Sequence, residues 1–320
     1  MKAIRVHEFG EPDVMKLEEV PDPVAGSGEV VVRLHAVGVN PVDTYIRAGR
    51  YGSMVTPPYT PGMDGAGVVE VVGEGVQNVA VGDRVYAAGL TNNAYAERVL
   101  WKAGQVRRLP EALSFAQGAA LNVPYATAFR ALFQRAHIQS GETVMVHGGS
   151  GAVGLAAIQM AKARGLTIAA TAGSRAGLQL IEEQGAKYVL DHTDPEYVSD
   201  ALGATCGRGF DVILEMAAHI NLGHDLDLLA PNGRVVVIGS RGEVTIDPRH
   251  TMAKESAVLG MRLFNTPPED FREIFEGIDA GLADGTLAPI IAQEFALADA
   301  PRAHETVMQP GARGKIVLIP

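Results

Sequence analysis

The chain has 320 residues, of which 47% are hydrophobic and 20% charged, with a formal net charge of -10. That length leaves room for two domains, and the composition is that of an ordinary soluble globular protein. The acidic balance disfavours general binding to nucleic acid phosphates or acidic membranes, and a single cysteine, Cys206, excludes an intrachain disulfide and a four-thiolate zinc site.

The opening run MKAIRVHEFGEPDV carries Lys2, Arg5 and Glu8 and lacks the apolar core of a signal peptide. With the lone cysteine, this fits a reducing cytoplasm. Residues 1–122 read mostly as β. Ala3–His7 alternates weakly, and Glu29–Ala36 is a clearer strand of β-branched residues. Val68–Val72 and Arg84–Ala87 are further strands, set between glycines at 62, 65, 67, 73, 75 and 82. Short strands with glycine corners predict a partly open barrel. Gly38–Tyr51, GVNPVDTYIRAGRY, interrupts them and reads as a loop leading into a short helix.

The pattern changes at Val123. Pro124 opens a helical run over Tyr125–Ala136. Strands and helices then alternate: strand 143–147, helix 152–164, strand 166–172, helix 175–184, strand 187–191. Strand Asp211–Glu215, helix Leu222–Leu229 and strands Arg234–Ile238 and Ala257–Phe264 follow. This order predicts an α/β fold with a doubly wound parallel sheet. Two amphipathic helices, Pro268–Leu282 and Ala300–Gln309, precede a closing strand Lys315–Ile319.

Within the alternating region, Gly149-Ser150-Gly151-Ala152-Val153-Gly154 fits G-x-G-x-x-G between a strand and a helix. Gly149 is expected to make the sharp turn, Gly151 to admit a pyrophosphate, and Gly154 to let helix and strand pack closely. Thr143–Ala161 holds no Asp, Glu, Lys or Arg, yet its clustered glycines and β-rich start argue against a membrane span. An NAD-selecting fold places an acid about 20 residues beyond the glycines. Here the second strand ends Gly173-Ser174-Arg175, with no acid. A hydroxyl and a guanidinium suit a 2′-phosphate, which predicts NADPH, the alternative being a solvated arginine at a helix start. His192, Met216, Asn221 and Gly239-Ser240-Arg241 follow later strands on the same expected edge.

Long stretches of this chain resemble the zinc-free, zeta-crystallin-like quinone oxidoreductases of the medium-chain dehydrogenase/reductase superfamily. They include GVNPVDTYIRAGRY (38–51), PYTPGMDGAGVVE (58–70), VGDRVY (81–86), QGAALNVPYATAFRAL (117–132), HGGSGAVGLAA (147–157), NLGHDLDLLAPNGRVVVIGSRG (221–242) and DPRHTMAKES (247–256). The resemblance implies a GroES-like catalytic domain from residues 1–123 and 265–320, with a Rossmann NADP-binding domain, 124–264, inserted into it. It implies a nicotinamide cleft between them. By matching position it assigns cofactor contacts to Asn40, Tyr45, Thr127, Gly149, Ser150, Gly151, Ala152, Val153, Gly154, Gly173, Ser174, Arg175, His192, Asn221, Ile238, Gly239, Ser240, Arg241, Met261, Arg262 and Leu263. Asn40, Tyr45 and Tyr51 become the catalytic candidates, with the two tyrosines lining a quinone pocket and Asn40 orienting ring or amide groups.

Zinc-dependent relatives carry Gly-His-Glu where this chain has Gly62-Met63-Asp64, and a cysteine near the position of Asn40. Met63 and Asn40 are poor zinc ligands, so no metal is expected. Gly149 stands where vertebrate-like members have alanine, an exchange that a tight turn is expected to tolerate. Without zinc, alcohol oxidation lacks a Lewis acid, whereas a quinone accepts electrons readily. The expected activity is NADPH-dependent quinone reduction. The alternative is reduction of an activated C=C bond in an enone, enal or enoyl thioester. A non-enzymatic alternative is the RNA-binding or lens structural role of some members, and the acidic charge weighs against RNA. Family members are homodimers or homotetramers, joined through strands near Ala257–Phe264.

Overall fold

The computed structural model describes every residue except Ser53. The chain divides into two compact units. The first comprises Met1–Val123, Pro289–Gln309 and Gly314–Pro320; the second comprises Pro124–Ala288 and Pro310–Arg313.

In the first unit, strand Glu29–Val39 is the hub. It pairs antiparallel with Lys315–Ile319, Asp64–Val72 and Arg98–Lys102. Its residues Val30, Val31, Val32, Leu34, Ala36, Val37 and Val39 are all buried, as a central strand covered on both faces requires. Arg84–Ala87 and Val106–Arg108 extend one side of the sheet. On the other side, Ile291–Ala296 lies parallel to Lys315–Ile319, with helix Ala300–Val307 between them in sequence. The last strand thus returns to the start of the chain, with Ile316 opposite Val39. Register shifts near Val31 and Leu34 bend the hub strand, as bulges do in closing sheets.

The second unit holds a six-stranded sheet, parallel throughout. Its order is Tyr188–Asp191, Thr167–Ala172, Thr143–Val146, Phe210–Glu215, Leu229–Val237, Ala257–Gly260. The central runs TVMV, TIAATA and FDVILE are nearly continuous in apolar residues because helices shield both faces. Helices Ala152–Ala163, Arg175–Gln184, Tyr197–Ala204 and Ala218–Leu228 connect successive strands.

Several bounds differ from expectation. The last strand ends at Gly260 because a 3-10 turn, Leu263–Asn265, replaces its continuation. The helical run after Pro124 is α only to Phe129 and widens to a π-helix over Arg130–Arg135. Helix Pro268–Ala283 belongs to the second unit, not to the first as the expected break at 264/265 had it. Three contacts explain this. A Cβ on Gly277 would lie 2.4 Å from Cε2 of Phe129, so the two elements touch directly. Arg130 pairs with Asp270 at 2.9 Å, and Gln134 donates to Glu273 at 2.8 Å. Among the described residues, no helix is long and apolar enough to cross a membrane.

Candidate functional site

The glycine loop follows strand Thr143–Val146. The sharp turn falls on Gly148, at φ 59, one residue before the expected Gly149. The Gly148 N–H donates to Thr171 Oγ1 at 3.1 Å, and the Gly149 N–H to the Thr171 carbonyl at 2.8 Å. The loop is therefore tied to the end of the neighbouring strand. Gly149 is a packing position: a Cβ there would lie 2.9 Å from Ala170 Cβ and 3.1 Å from Ile181 Cγ2. Alanine, expected to be tolerated at 149, is crowded in this chain. Gly154 is tighter still, since its Cβ would meet the Gly148 carbonyl oxygen at 2.5 Å. Gly151 is open, with Gly148 O at 3.4 Å as the nearest neighbour of such a Cβ.

The first helical bond beyond this turn runs from the Leu155 N–H to the Gly151 carbonyl. It leaves the N–H groups of Ala152, Val153 and Gly154 without a helical acceptor. Free N–H groups at a helix start, beside a residue with no Cβ, fit a pyrophosphate. Ser150 is buried.

At the end of the second strand, Ser174 caps helix Arg175–Gln184, its Oγ accepting from the Gly177 N–H at 3.2 Å. Arg175 is exposed and makes no ion pair among the described residues. The His192 ring lies against Gly173, where a Cβ would come within 2.5 Å of Nε2. Burial against this backbone lowers the His192 pKa. Asn221 donates to Glu215 Oε1 at 3.3 Å. In the Ile238–Arg241 turn, the Ile238 N–H donates to the Glu215 carbonyl at 2.8 Å and the Arg241 N–H to His219 Nδ1 at 3.1 Å. His219 is thus tied to this turn, while His224 is exposed. Met261 donates its N–H to Val237 O at 3.0 Å; Arg262 is exposed, and the Leu263 side chain is buried. Thr127 is buried in helix Asn122–Phe129, ahead of the sheet.

Residues 148–154, 173–175, 192, 221, 238–241 and 261 thus all follow carboxyl ends of parallel strands in one sheet. Its strand order reverses between Thr143–Val146 and Phe210–Glu215, the switch point where such sheets bind ligands.

In the first unit, Asn40 ends the hub strand and starts helix Pro41–Arg47. Its carboxamide is engaged at both ends. Lys315 Nζ donates to Oδ1 at 2.5 Å, and Nδ2 donates to Asp64 Oδ2 at 3.0 Å. Lys315 also pairs with Asp64 Oδ2 at 2.6 Å, and the Val123 N–H donates to Oδ1 at 2.9 Å. Asp64 is 0% and Lys315 2% exposed. Asn40, expected to orient ring or amide groups, is a buried junction whose carboxamide is already engaged within the chain. Asp43 accepts from the Asn40 N–H at 2.9 Å and from the Tyr95 hydroxyl at 3.4 Å. Burial, with the nearby Asp64 charge adding to it, pushes the Asp43 carboxyl up to about 7.

The network continues to Arg47. The guanidinium can only donate, so His304 Nδ1 accepts from it at 3.4 Å. The neutral imidazole then carries its hydrogen on Nε2, which faces the Tyr95 oxygen at 3.0 Å. Burial, with Arg47 beside it, depresses the His304 pKa to about 3. Burial also raises the Tyr95 hydroxyl well above its ordinary value. Tyr45, on helix Pro41–Arg47, and Tyr51, just beyond it, are both half-buried. Among the described residues the Tyr45 hydroxyl makes no hydrogen bond.

The sequence reading missed Asp43, Tyr95, His304 and Lys315 in this unit, and His147, Thr171, Glu215 and Asp225 in the other. A signal existed for two of them. Lys315 opens the otherwise apolar strand KIVLI, and Glu215 ends the apolar run VIL, so both charges sit where burial is expected.

The parallel sheet, its glycine loop and the β-rich first unit define a medium-chain dehydrogenase/reductase. Residues 26–120 match the alcohol dehydrogenase GroES-like domain, and residues 152–280 match the family described as zinc-binding dehydrogenase. A human quinone oxidoreductase is 44% identical over 321 residues, covering 100% of this chain and 98% of the relative. The crystal structure of an NAD-dependent alcohol dehydrogenase superposes with a TM-score of 0.93 at 26% identity, covering 100% of both chains. A mycobacterial protein solved with NADPH superposes with a TM-score of 0.90 at 29% identity, again over 100% of both chains. The chain belongs to the quinone oxidoreductase family, and it is an oxidoreductase.

Proposed function

We propose that this protein reduces quinones with NADPH and without zinc. The observation that carries the cofactor choice is the end of the second strand. There Ser174 caps the helix, and the exposed Arg175 guanidinium stands where an NAD-selecting fold has an acid. Ala152, Val153 and Gly154 would hold the pyrophosphate through their N–H groups, and Arg175 the 2′-phosphate. When bound, NADPH supplies a hydride; a proton from solvent or a side chain completes reduction of the quinone to the hydroquinone.

The zinc-free reading rests on the chemistry of the donors. Asn40 and Met63 offer a carboxamide and a thioether, and Asp64 is already neutralised by the Lys315 ammonium. A cation there would have to displace one that is covalently part of the chain. Tyr45 and Tyr51 are the residues we assign to the substrate, since both are aromatic and half-buried, and the Tyr45 hydroxyl has no hydrogen-bond partner among the described residues. We also infer a homodimer formed through strand Ala257–Gly260. Among the described residues it pairs on one side only, with Leu229–Val237, and Val258 on it is exposed.

Arg175→Asp tests the cofactor assignment. Removing the guanidinium and adding a repelling charge is expected to weaken NADPH binding about 100-fold, while NADH changes by less than about threefold. An equal effect on both cofactors would remove the assignment.

A further inference from the structure

Beneath the nucleotide loop, three titratable side chains meet in the core of the second unit. His147 follows the first strand at the switch point, Glu215 ends the fourth, and Asp225 lies on helix Ala218–Leu228. All three are buried. His147 Nε2 donates to Asp225 Oδ1 at 2.8 Å and lies 3.6 Å from Glu215 Oε2. Glu215 Oε1 accepts from the Ala217 N–H and from Asn221 Nδ2. Two buried oxygens are left without a partner: Glu215 Oε2 and Asp225 Oδ2.

An unpaired carboxylate oxygen in a dry core is costly, and two in one cluster are more so. One proton resolves both. Placed between Glu215 and Asp225, whose carboxyl groups lie close enough to interact, it serves both. The cluster is then an imidazolium, a carboxylate and a neutral acid, with no net charge. A metal ion would be the other solution, but the geometry argues against it. Two ligands on a tetrahedral ion with bonds of about 2.0–2.2 Å sit about 3.3 Å apart. The 2.8 Å between His147 and Asp225 is a hydrogen bond, with the Nε2 lone pair taken up by its proton.

We propose that Glu215 is a neutral acid sharing one proton with Asp225, and that it is the positioning residue that orients Asn221 and the 216–217 turn for the nucleotide. The positioning role rests on the nucleotide reading above; the shared proton does not. Burial pushes the Glu215 carboxyl up to about 7 against the pull of His147, in the direction this arrangement requires. Burial opposes charge on His147, yet the bond to Asp225 and the two acids hold its pKa above the ordinary value. The other titratable groups that feel the cluster are the half-buried Tyr197, whose hydroxyl both acids disfavour ionising, and His192, which feels His147. Above pH 7 the proton leaves and two carboxylates face each other, and their repulsion works against the Glu215 position that Asn221 and the Ala217 N–H require.

The test combines infrared spectroscopy with NADPH titration of the full chain, for the wild type, Glu215→Gln, Glu215→Ala and Asn221→Ala. Glutamine keeps an acceptor for Ala217 and Asn221 and a donor for Asp225, so it mimics the neutral acid. We expect a protonated-carboxyl band in the wild type at low pH that fades as pH rises through about 7 and is absent from Glu215→Gln. We expect Glu215→Gln to bind NADPH within about twofold of the wild type and Glu215→Ala about tenfold more weakly, with losses not additive to those of Asn221→Ala. Thermal melts of all four confirm folding. A missing band, a stoichiometric bound metal, or Glu215→Gln binding as weakly as Glu215→Ala would overturn the proposal. A wild type that shows the band but binds no NADPH overturns the nucleotide reading and the positioning role, and leaves the shared proton standing.

Discussion

Gly154→Ala is the substitution whose consequence follows most directly from the geometry. The new Cβ would lie 2.5 Å from the Gly148 carbonyl oxygen, 2.6 Å from Gly149 Cα and 2.7 Å from Gly149 O. All three are backbone atoms, so no side chain can swing aside. To reach the 3.4 Å of ordinary contact, the helix start must retreat by about 0.9 Å, the difference between 3.4 and 2.5. Such overpacking costs about 1–3 kcal/mol, against a gain of about 0.5–1 kcal/mol for replacing glycine within a helix. The net change is destabilising. It also moves the N–H groups of Ala152, Val153 and Gly154, so NADPH affinity falls. Gly223→Ala is the control, since Gly223 lies in helix Ala218–Leu228 with nothing within 4 Å of its would-be Cβ. That change should stabilise by about 0.5–1 kcal/mol. Urea denaturation and fluorescence titration with NADPH measure both properties. If Gly154→Ala is as stable as Gly223→Ala and binds NADPH like the wild type, the close-packing account of the loop is wrong.

Asp43 makes stability depend on pH. Its folded pKa is raised from 3.8 to about 7, chiefly by burial, so the neutral form is favoured in the fold. The stability it contributes is full below pH 3.8 and is lost as pH rises toward 7, by about 1.4 kcal/mol per pH unit. Asp43→Asn removes that loss, so its melting temperature should gain on the wild type between about pH 4 and pH 7 and level off above that; a constant difference across that window would refute the assignment. Lys315→Met leaves the fully buried Asp64 carboxylate without its cation, and is expected to cost about 3–5 kcal/mol in denaturant unfolding. Adding Asp64→Asn should recover most of that loss, and a double variant no better than the single would contradict the pairing. Tyr45→Phe and Tyr51→Phe should each slow quinone turnover, and no change in either would remove their proposed polar role.

The second unit was legible because each of its signals is local. Strand and helix alternate in runs such as TVMV and TIAATA, and the glycines punctuate them. What local pattern could not show was which glycine does what. Gly148 turns the chain where its own N–H and the next both reach Thr171, a residue on another strand. The first unit was less legible. Strands Met15–Glu19, Arg98–Lys102 and Ile291–Ala296 mix polar and apolar residues, and Arg98–Lys102 pairs with Glu29–Val39, a strand distant in sequence. The buried clusters are the extreme case. Lys315 meets Asp64 across 251 positions, and His147 meets Asp225 across 78. Nothing in either segment alone marks the encounter. Helix Pro268–Ala283 was assigned to the wrong unit for the same reason: its amphipathic pattern shows that it packs, but not against what.

NADPH-dependent quinone reduction is open to direct assay. The measurement that tests it most directly is steady-state oxidation of NADPH by the purified full chain with ortho-quinones, para-quinones and enones side by side, NADH replacing NADPH in a parallel series. Turnover with quinones is expected to be at least about tenfold faster, as kcat/KM, with NADPH than with NADH. Turnover confined to enones would overturn the substrate class, and equal use of NADH would overturn the role given to Ser174 and Arg175.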